Sequence, residues 1–172
     1  MQRMAYLRRL HGLVKRYGSE NVVYFDESGF KRHSYRKHGW ARRGQVIYGD
    51  VSGKNRKATN LIMAQRNGQW LAPETFEGSC DAVRVNEWLE KKLMPLLDRP
   101  SIVVMDNASF HKKKDIAAIL RKKGHAMLPL PPYSPDFNPI ENSFGSLKRK
   151  REFAPPDTPV LDLIKSSDCY WE

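Results

Sequence analysis

The chain has 172 residues, of which 40% are hydrophobic and 28% are charged, and its formal net charge is +11. This length and composition predict one soluble globular domain with a sizeable core rather than a disordered chain. No apolar run is long enough to cross a bilayer, no signal-peptide pattern follows Met1, and the two cysteines lack metal-ligand spacing. A membrane protein, a disulfide framework and a zinc site are therefore not supported, and a reducing cytoplasm is the expected compartment.

The basic residues are concentrated in two blocks, residues 1–57 and residues 111–151, whereas acidic residues outnumber basic ones in the rest of the chain. A polyanion such as nucleic acid fits two concentrated basic blocks, because Lys and Arg neutralise phosphates. A solvated basic surface is the alternative interpretation of any single Lys-rich turn.

The first elements are a helix and a buried strand. Apolar residues recur at helical spacing over residues 4–17, and Gly18 is a plausible end of that helix. The apolar run over residues 22–25 predicts a strand that ends at Asp26.

Two further strand signals and a hairpin follow. Residues 45–51 and residues 58–64 each have the composition of a short strand. The pair Asn67-Gly68 before Trp70 is a strong hairpin signal, since both turn residues tolerate positive φ.

In the second half of the chain, strands alternate with helices. An amphipathic segment over residues 83–96 precedes the apolar run 102–105, which delivers Asp106 at its end. A Lys-rich helix is predicted over residues 112–123 and a short strand over residues 126–128. A proline-rich connection then runs into a last helix, which begins near Pro139.

Three hairpin-linked strands followed by alternating strands and helices predict an α/β fold, a mixed five-stranded sheet with helices on both faces. This is the element order of the ribonuclease H-like fold, in which the first strand is central and the fourth lies beside it. The predicted divisions are a linker helix over residues 1–19, a catalytic domain over residues 20–151 and a loosely held acidic tail over residues 152–172.

Three carboxylates form the candidate site: Asp26, Asp106 and Glu141. Acids delivered by separate elements suit a two-metal phosphoryl-transfer site, since divalent ions prefer hard oxygen ligands. The alternative for each Asp is an Asx-turn at a strand end. The alternative for Glu141 is a capping box, with Asn138 as N-cap and Pro139 at the first helical position.

Further residues accompany these acids. Asn107 and His111 follow Asp106 and are candidates to support the site or to contact phosphate, although a turn-forming Asn and a surface His explain them equally well. Seven residues of the two basic blocks are predicted to contact DNA phosphates. They are Arg42, Arg43, Lys112, Lys148, Arg149, Lys150 and Arg151.

Four motifs resemble the catalytic domain of mariner-like DDE transposases of bacterial insertion sequences: DESGF at 26–30, GWARRG at 39–44, DNASFH at 106–111 and LPPYSPDFNPIEN at 130–142. The resemblance covers residues 20–151. It implies a ribonuclease H-like fold and places Asp26, Asp106 and Glu141 as the catalytic triad. It also implies two bound Mg²⁺ ions, for which Mn²⁺ can substitute.

The same resemblance implies hydrolysis of a phosphodiester at transposon ends, followed by attack of the freed 3′-OH on target DNA, typically at a TA dinucleotide. The implied partners are DNA and a second copy of the chain in a synaptic dimer, in a bacterial, nucleoid-associated setting. Family members carry an N-terminal helix-turn-helix region, for which the segment before residue 20 is too short. The chain is therefore expected to be a catalytic half, either one product of a split reading frame with the helix-turn-helix half encoded upstream or a decayed copy. An inactive DNA-binding remnant and a nuclease or resolvase of the same fold are the competing functions.

Overall fold

The structure is a computed structural model that describes residues 2–31, 39–49, 58–108, 112–155 and 158–170. Its strands are β1 (Val22–Phe30), β2 (Thr59–Arg66), β3 (Gln69–Phe76), β4 (Ile102–Met105) and β5 (Ala126–Pro129). Its α-helices are α1 (Gln2–Tyr17), α2 (Ala82–Trp88), α3 (Lys113–Lys122), α4 (Ile140–Phe153) and α5 (Val160–Lys165). A π-helical turn, Leu89–Leu93, and a 3-10 turn, Met94–Leu96, continue α2.

The strands form one mixed sheet in the order β3-β2-β1-β4-β5. Strand β1 is central; it pairs antiparallel with β2 and parallel with β4. The predicted five-stranded α/β fold and the predicted neighbours of the first strand are thus confirmed. Tyr24 of β1 pairs with Val104 of β4. The residues that follow Tyr24 therefore lie beside the residues that follow Val104.

The β2–β3 hairpin turns at Asn67 and Gly68, whose φ angles are 51° and 81°. Positive φ at both turn positions matches the right-handed twist of the flanking strands, which explains the Asn-Gly pair. The hairpin predicted from the sequence is therefore confirmed.

Helices cover both faces of the sheet because the strand residues alternate between them. Val23 and Phe25 are fully buried against α2 and α3, in a cluster that includes Trp88 and Leu120. On the other face, Val22 packs with residues of α1. On that same face Leu61 and Met63 of β2 pack under α4 and α5. None of the described helices combines the length and apolar character needed to cross a bilayer.

Three predictions about elements need correction. Strand β1 does not end at Asp26 but continues to Phe30, because its antiparallel pairing with β2 runs on to Phe30↔Thr59. Residues 45–49 are exposed and irregular after a turn at Arg43 and Gly44, so the strand predicted over 45–51 is wrong for them. Residues 50 and 51 lie outside the described part of the chain.

The third correction concerns the segment after Arg151. It was expected to be loosely held, but α5 buries Val160, Leu163 and Ile164 against α4 and the sheet. The backbone N–H of Trp70 at the sheet edge also donates to the carbonyl of Cys169. The segment therefore packs on the sheet edge because three apolar side chains find a surface there.

Candidate active site

Asp26 lies in the middle of β1 and pairs across the sheet with Met63 of β2. Its Oδ1 accepts a hydrogen bond of 2.8 Å from the backbone N–H of Glu27. Its Oδ2 accepts one of 2.9 Å from the side-chain amide of Asn138. Both oxygens of the carboxylate are therefore held by donors on the protein.

Burial raises the pKa of Asp26 from its ordinary value of 3.8 to about 7. The hydrogen bond from the Glu27 backbone opposes this increase, whereas the negative charges of Glu27, Asp106 and Glu141 add to it. Desolvation and neighbouring negative charges both disfavour an ionised carboxylate. A cation bound at Asp26 would offset both effects, and so would a proton.

Asp106 follows the last residue of β4. Tyr24 pairs with Val104 in the parallel register of β1 and β4, and two residues further along these strands lie Asp26 and Asp106. Side chains two residues apart in a strand point to the same face, so this register directs both acids to the same region. The charge of Asp106 accordingly contributes to the raised pKa of Asp26. Asp106 also accepts a hydrogen bond of 3.0 Å from the backbone N–H of Ala108, as the Asx-turn alternative predicts.

Asp26 and Asp106 line the same open pocket at this end of the sheet. Glu27 and Cys80 line it too. Burial, with the charge of Glu27 as the next cause, raises the pKa of the Cys80 thiol to about 12. Negative charge is thus disfavoured at two groups of this pocket, Asp26 and Cys80.

Glu141 lies in the first turn of α4 and is exposed. Its charge contributes to the raised pKa of Asp26, but Glu141 is not among the residues that line the pocket. Among the described residues, no group of three or more His, Cys, Asp or Glu side chains is spaced to hold a metal ion. Asp26 and Asp106 therefore line one pocket, and Glu141 lies close enough to Asp26 for its charge to contribute to the raised pKa of Asp26.

The predicted capping box is wrong. Helix α4 begins at Ile140, Pro139 occupies the cap position, and no side chain accepts a hydrogen bond from the first turn. The amide of Asn138 instead contacts Asp26, from which it is separated by 112 positions in the sequence. A cap would use Oδ1 of Asn138 as an acceptor, whereas the contact with Asp26 uses Nδ2 as a donor. The side chain is oriented for the charge-assisted bond to Asp26, and its Oδ1 has no hydrogen-bond partner among the described residues.

The family profile described as DDE superfamily endonuclease matches residues 21–157, most of the chain. This chain belongs to the DDE superfamily endonuclease family. No curated protein matches it significantly.

Solved structures of a mariner transposase share the fold of this chain. The Mos1 paired-end complex with Mg matches with a TM-score of 0.73 and 22% identity, covering 96% of this chain and 54% of that one. The Mos1 paired-end complex with the left transposon end gives 0.70 and 20%, covering 98% and 55%. The Mos1 catalytic domain gives 0.65 and 18%, covering 96% and 80%. The chain thus spans about half the length of the transposase chains in the complexes.

Asn107 and His111 were predicted to support the candidate site or to contact phosphate. Asn107 follows Asp106, and its side-chain amide donates a hydrogen bond to the backbone carbonyl of Leu130. It therefore ties the loop after β4 to the start of the proline-rich segment. His111 lies outside the described residues.

The predicted DNA-contacting residues of the DDE domain lie on several surfaces. Arg42 and Arg43 are exposed in the turn after residue 39, and Lys112 is exposed just before α3. These positions leave their charges accessible to a phosphate backbone.

The four basic residues of α4 differ in their surroundings. Lys148 and Arg151 both lie over the ring of Phe30, each 5.9 Å from its centroid. Lys150 donates a hydrogen bond of 2.6 Å to the hydroxyl of Ser167. Arg149 is exposed. Of these four residues, Lys148, Lys150 and Arg151 therefore also take part in contacts within the protein.

Two residues of the site were missed from the sequence. Glu27 lines the pocket, and its position directly after Asp26 was a signal that could have identified it. The contact of Asn138 with Asp26 had no local signal, because its sequence context matches a helix cap equally well.

Proposed function

We propose that this chain is the catalytic domain of a DNA transposase of the mariner-like superfamily, from its bacterial insertion-sequence branch. The observation that carries the proposal is the half-buried carboxylate of Asp26, which shares a pocket with Asp106 and whose pKa is raised by desolvation and by neighbouring charges that include Glu141. Membership of the DDE superfamily endonucleases supports it. The shared fold with a transposase that was solved on a transposon end supports it further.

The donor set fits divalent metal ions. Asp26, Asp106 and Glu141 offer carboxylate oxygens, which are hard ligands suited to Mg²⁺ or Mn²⁺. Each oxygen of Asp26 accepts one hydrogen bond from the protein and keeps lone pairs for a metal ion. We assign these three residues as the ligands of two Mg²⁺ ions, with Mn²⁺ as a substitute; the mariner complexes that share the fold were solved with Mn and with Mg.

The bound ions would supply Lewis-acid activation of a water or 3′-OH and of the phosphoryl oxygens. The protein itself supplies position and charge. The β-sheet fixes Asp26 and Asp106 side by side, and the first turn of α4 presents Glu141 to the same region. Exposed Arg42, Arg43 and Lys112 would hold the DNA backbone near these acids.

The same site serves two reactions in this proposal. Hydrolysis of a phosphodiester at a transposon end frees a 3′-OH, and that hydroxyl then displaces a phosphodiester oxygen in target DNA. Both are in-line displacements at phosphorus with different oxygen nucleophiles, so one set of residues can hold both substrates. Assembly would bring two copies together on paired transposon ends.

A strand-transfer assay with pre-cut transposon ends tests this function. We expect Mg²⁺- or Mn²⁺-dependent joining by the wild-type chain and a loss of at least about 100-fold in Asp106→Asn, since transition-state stabilisation of this kind is worth that much. Asp115→Asn is the matched control, because Asp115 is an exposed acid at the start of α3. Equal joining by wild type and Asp106→Asn would overturn the assignment of Asp106.

The same assay separates the competing functions. Metal-dependent cutting without joining would indicate a nuclease or resolvase. Salt-sensitive DNA binding without any chemistry would indicate a DNA-binding remnant.

A further inference from the structure

The side chain of Asn138 is almost completely buried, with 3% of its surface exposed. Its Nδ2 donates the 2.9 Å hydrogen bond to Oδ2 of Asp26. Its Oδ1 has no hydrogen-bond partner among the described residues. The contact with Asp26 is therefore the polar interaction that sets the orientation of this amide.

The backbone of Asn138 contacts a second acid of the site. Its carbonyl accepts a hydrogen bond of 3.2 Å from the backbone N–H of Glu141, and its own N–H donates one of 2.8 Å to the carbonyl of Pro135. One residue thus holds Asp26 through its side chain and the first turn of α4 through its backbone. The separation between the two acids depends on where Asn138 lies.

Contacts from α1 hold the short turn that precedes Asn138. The ring of Tyr6 stacks on Phe137 at a centroid distance of 5.3 Å, and the guanidinium of Arg3 lies 4.3 Å from the same ring. Arg3 also forms an ion pair with Asp136 through both of its terminal nitrogens. The turn is therefore held by α1 as well as by its connection with α4.

We propose that Asn138 is a positioning residue of the metal site: it orients the Asp26 carboxylate and sets its separation from Glu141 before any ion binds. This inference rests on the proposed function, since it assumes that Asp26 binds divalent metal. Residues that orient metal ligands typically contribute a factor of about 10 to 100 to metal affinity. Loss of the Asn138 amide would leave Oδ2 of Asp26 without its donor and release the carboxylate from its orientation.

Mn²⁺ binding to the metal-free full chain, followed by the electron paramagnetic resonance signal of free Mn²⁺ without DNA, tests the proposal. Asn138→Leu keeps the branched shape of the side chain, at a larger volume, and removes the donor. We expect its dissociation constant for Mn²⁺ to rise about 10- to 100-fold. Asn86→Leu is the matched control: Asn86 lies on α2, its Oδ1 is likewise buried without a partner among the described residues, and its Mn²⁺ affinity should not change.

Thermal unfolding of each metal-free variant reports whether the fold persists. If Asn138→Leu does not fold, Asn138→Ser keeps a shorter donor at the same position and should show an Mn²⁺ affinity weaker than that of the wild type. A folded variant with wild-type affinity would overturn the proposal.

The variant Asp26→Asn distinguishes a failure of the proposed metal site from a failure of the role proposed for Asn138. If Mn²⁺ binding is lost in Asp26→Asn but retained in Asn138→Leu, the metal site stands and the role of Asn138 is wrong. If the wild type and Asp26→Asn bind Mn²⁺ equally, the metal assignment of the proposed function fails and the role of Asn138 fails with it.

Discussion

The ring of Tyr6 in α1 stacks on the ring of Phe137, with centroids 5.3 Å apart and planes inclined by 14°. This contact joins the N-terminal helix to the turn that leads into Asn138 and Glu141. Helix α1, expected from the sequence to be a linker, therefore packs against the segment that presents two residues of the candidate site.

Replacement of Tyr6 by Phe should stabilise the protein. The Tyr6 hydroxyl is buried and has no hydrogen-bond partner among the described residues, and burial raises its pKa above the ordinary range. Removal of a buried, unsatisfied hydroxyl removes its desolvation penalty and keeps the stacked ring, so we expect a gain of about 1 kcal/mol in the free energy of unfolding.

Urea denaturation of wild type, Tyr6→Phe and Tyr6→Ala measures this gain. Tyr6→Ala removes the ring as well and should cost roughly 3 kcal/mol or more. A Tyr6→Phe variant less stable than the wild type would show that the hydroxyl has a favourable partner.

The stability of the metal-free protein should depend on the ionisation of Asp26. Between its ordinary pKa of 3.8 and the raised pKa of about 7, Asp26 keeps a proton in the folded state that it has released in the unfolded state. The unfolded state then binds fewer protons, so the free energy of unfolding falls as the pH rises through this window. Asp26→Asn lacks this effect.

Urea unfolding of both proteins in chelator at pH 4 and pH 8 tests this dependence. The stability of Asp26→Asn relative to wild type should increase with pH, by up to about 4 kcal/mol. Excess Mg²⁺ should reverse the order, because the ion stabilises only the protein that binds it. A difference between the two proteins that does not change with pH would contradict the raised pKa.

The docking of α5 predicts a large effect of Leu163. Leu163 is 7% exposed in the cluster under α4, so Leu163→Ala should cost about 2–5 kcal/mol of stability. Leu96→Ala is the matched control, because Leu96 is 46% exposed and should lose much less. Equal, small losses in thermal and urea unfolding would show that the C-terminal segment is loosely held after all.

Arg149 should contribute to DNA binding through charge alone. It is exposed on α4, so Arg149→Ala should weaken binding to any duplex and reduce the slope of log affinity against log salt by about 1. Lys91→Ala removes the same charge from a residue that pairs with Glu87, and it should leave the slope unchanged. Fluorescence anisotropy at several salt concentrations measures both slopes; identical slopes would contradict the contact.

Local physical chemistry made much of the fold predictable. Asn67 and Gly68 specify a hairpin because both residues tolerate positive φ, and Gly18 ends α1 with a φ of 89°. Asp106 follows a short, fully apolar run that is buried in the structure as predicted. In each case the residue and its neighbours in sequence carry the whole signal.

Only the tertiary structure decided where β1 ends, which partner Asn138 contacts and whether the C-terminal segment docks. Whether β1 stops at Asp26 or continues to Phe30 depends on β2, which pairs with it as far as Thr59. Whether Asn138 caps α4 or holds Asp26 depends on a carboxylate 112 positions away. Helix α5 docks because residues of α4 and the sheet form an apolar surface beneath it. The partner of a buried polar or apolar side chain is set by burial and distance in space, and neither can be read from its neighbours in the chain.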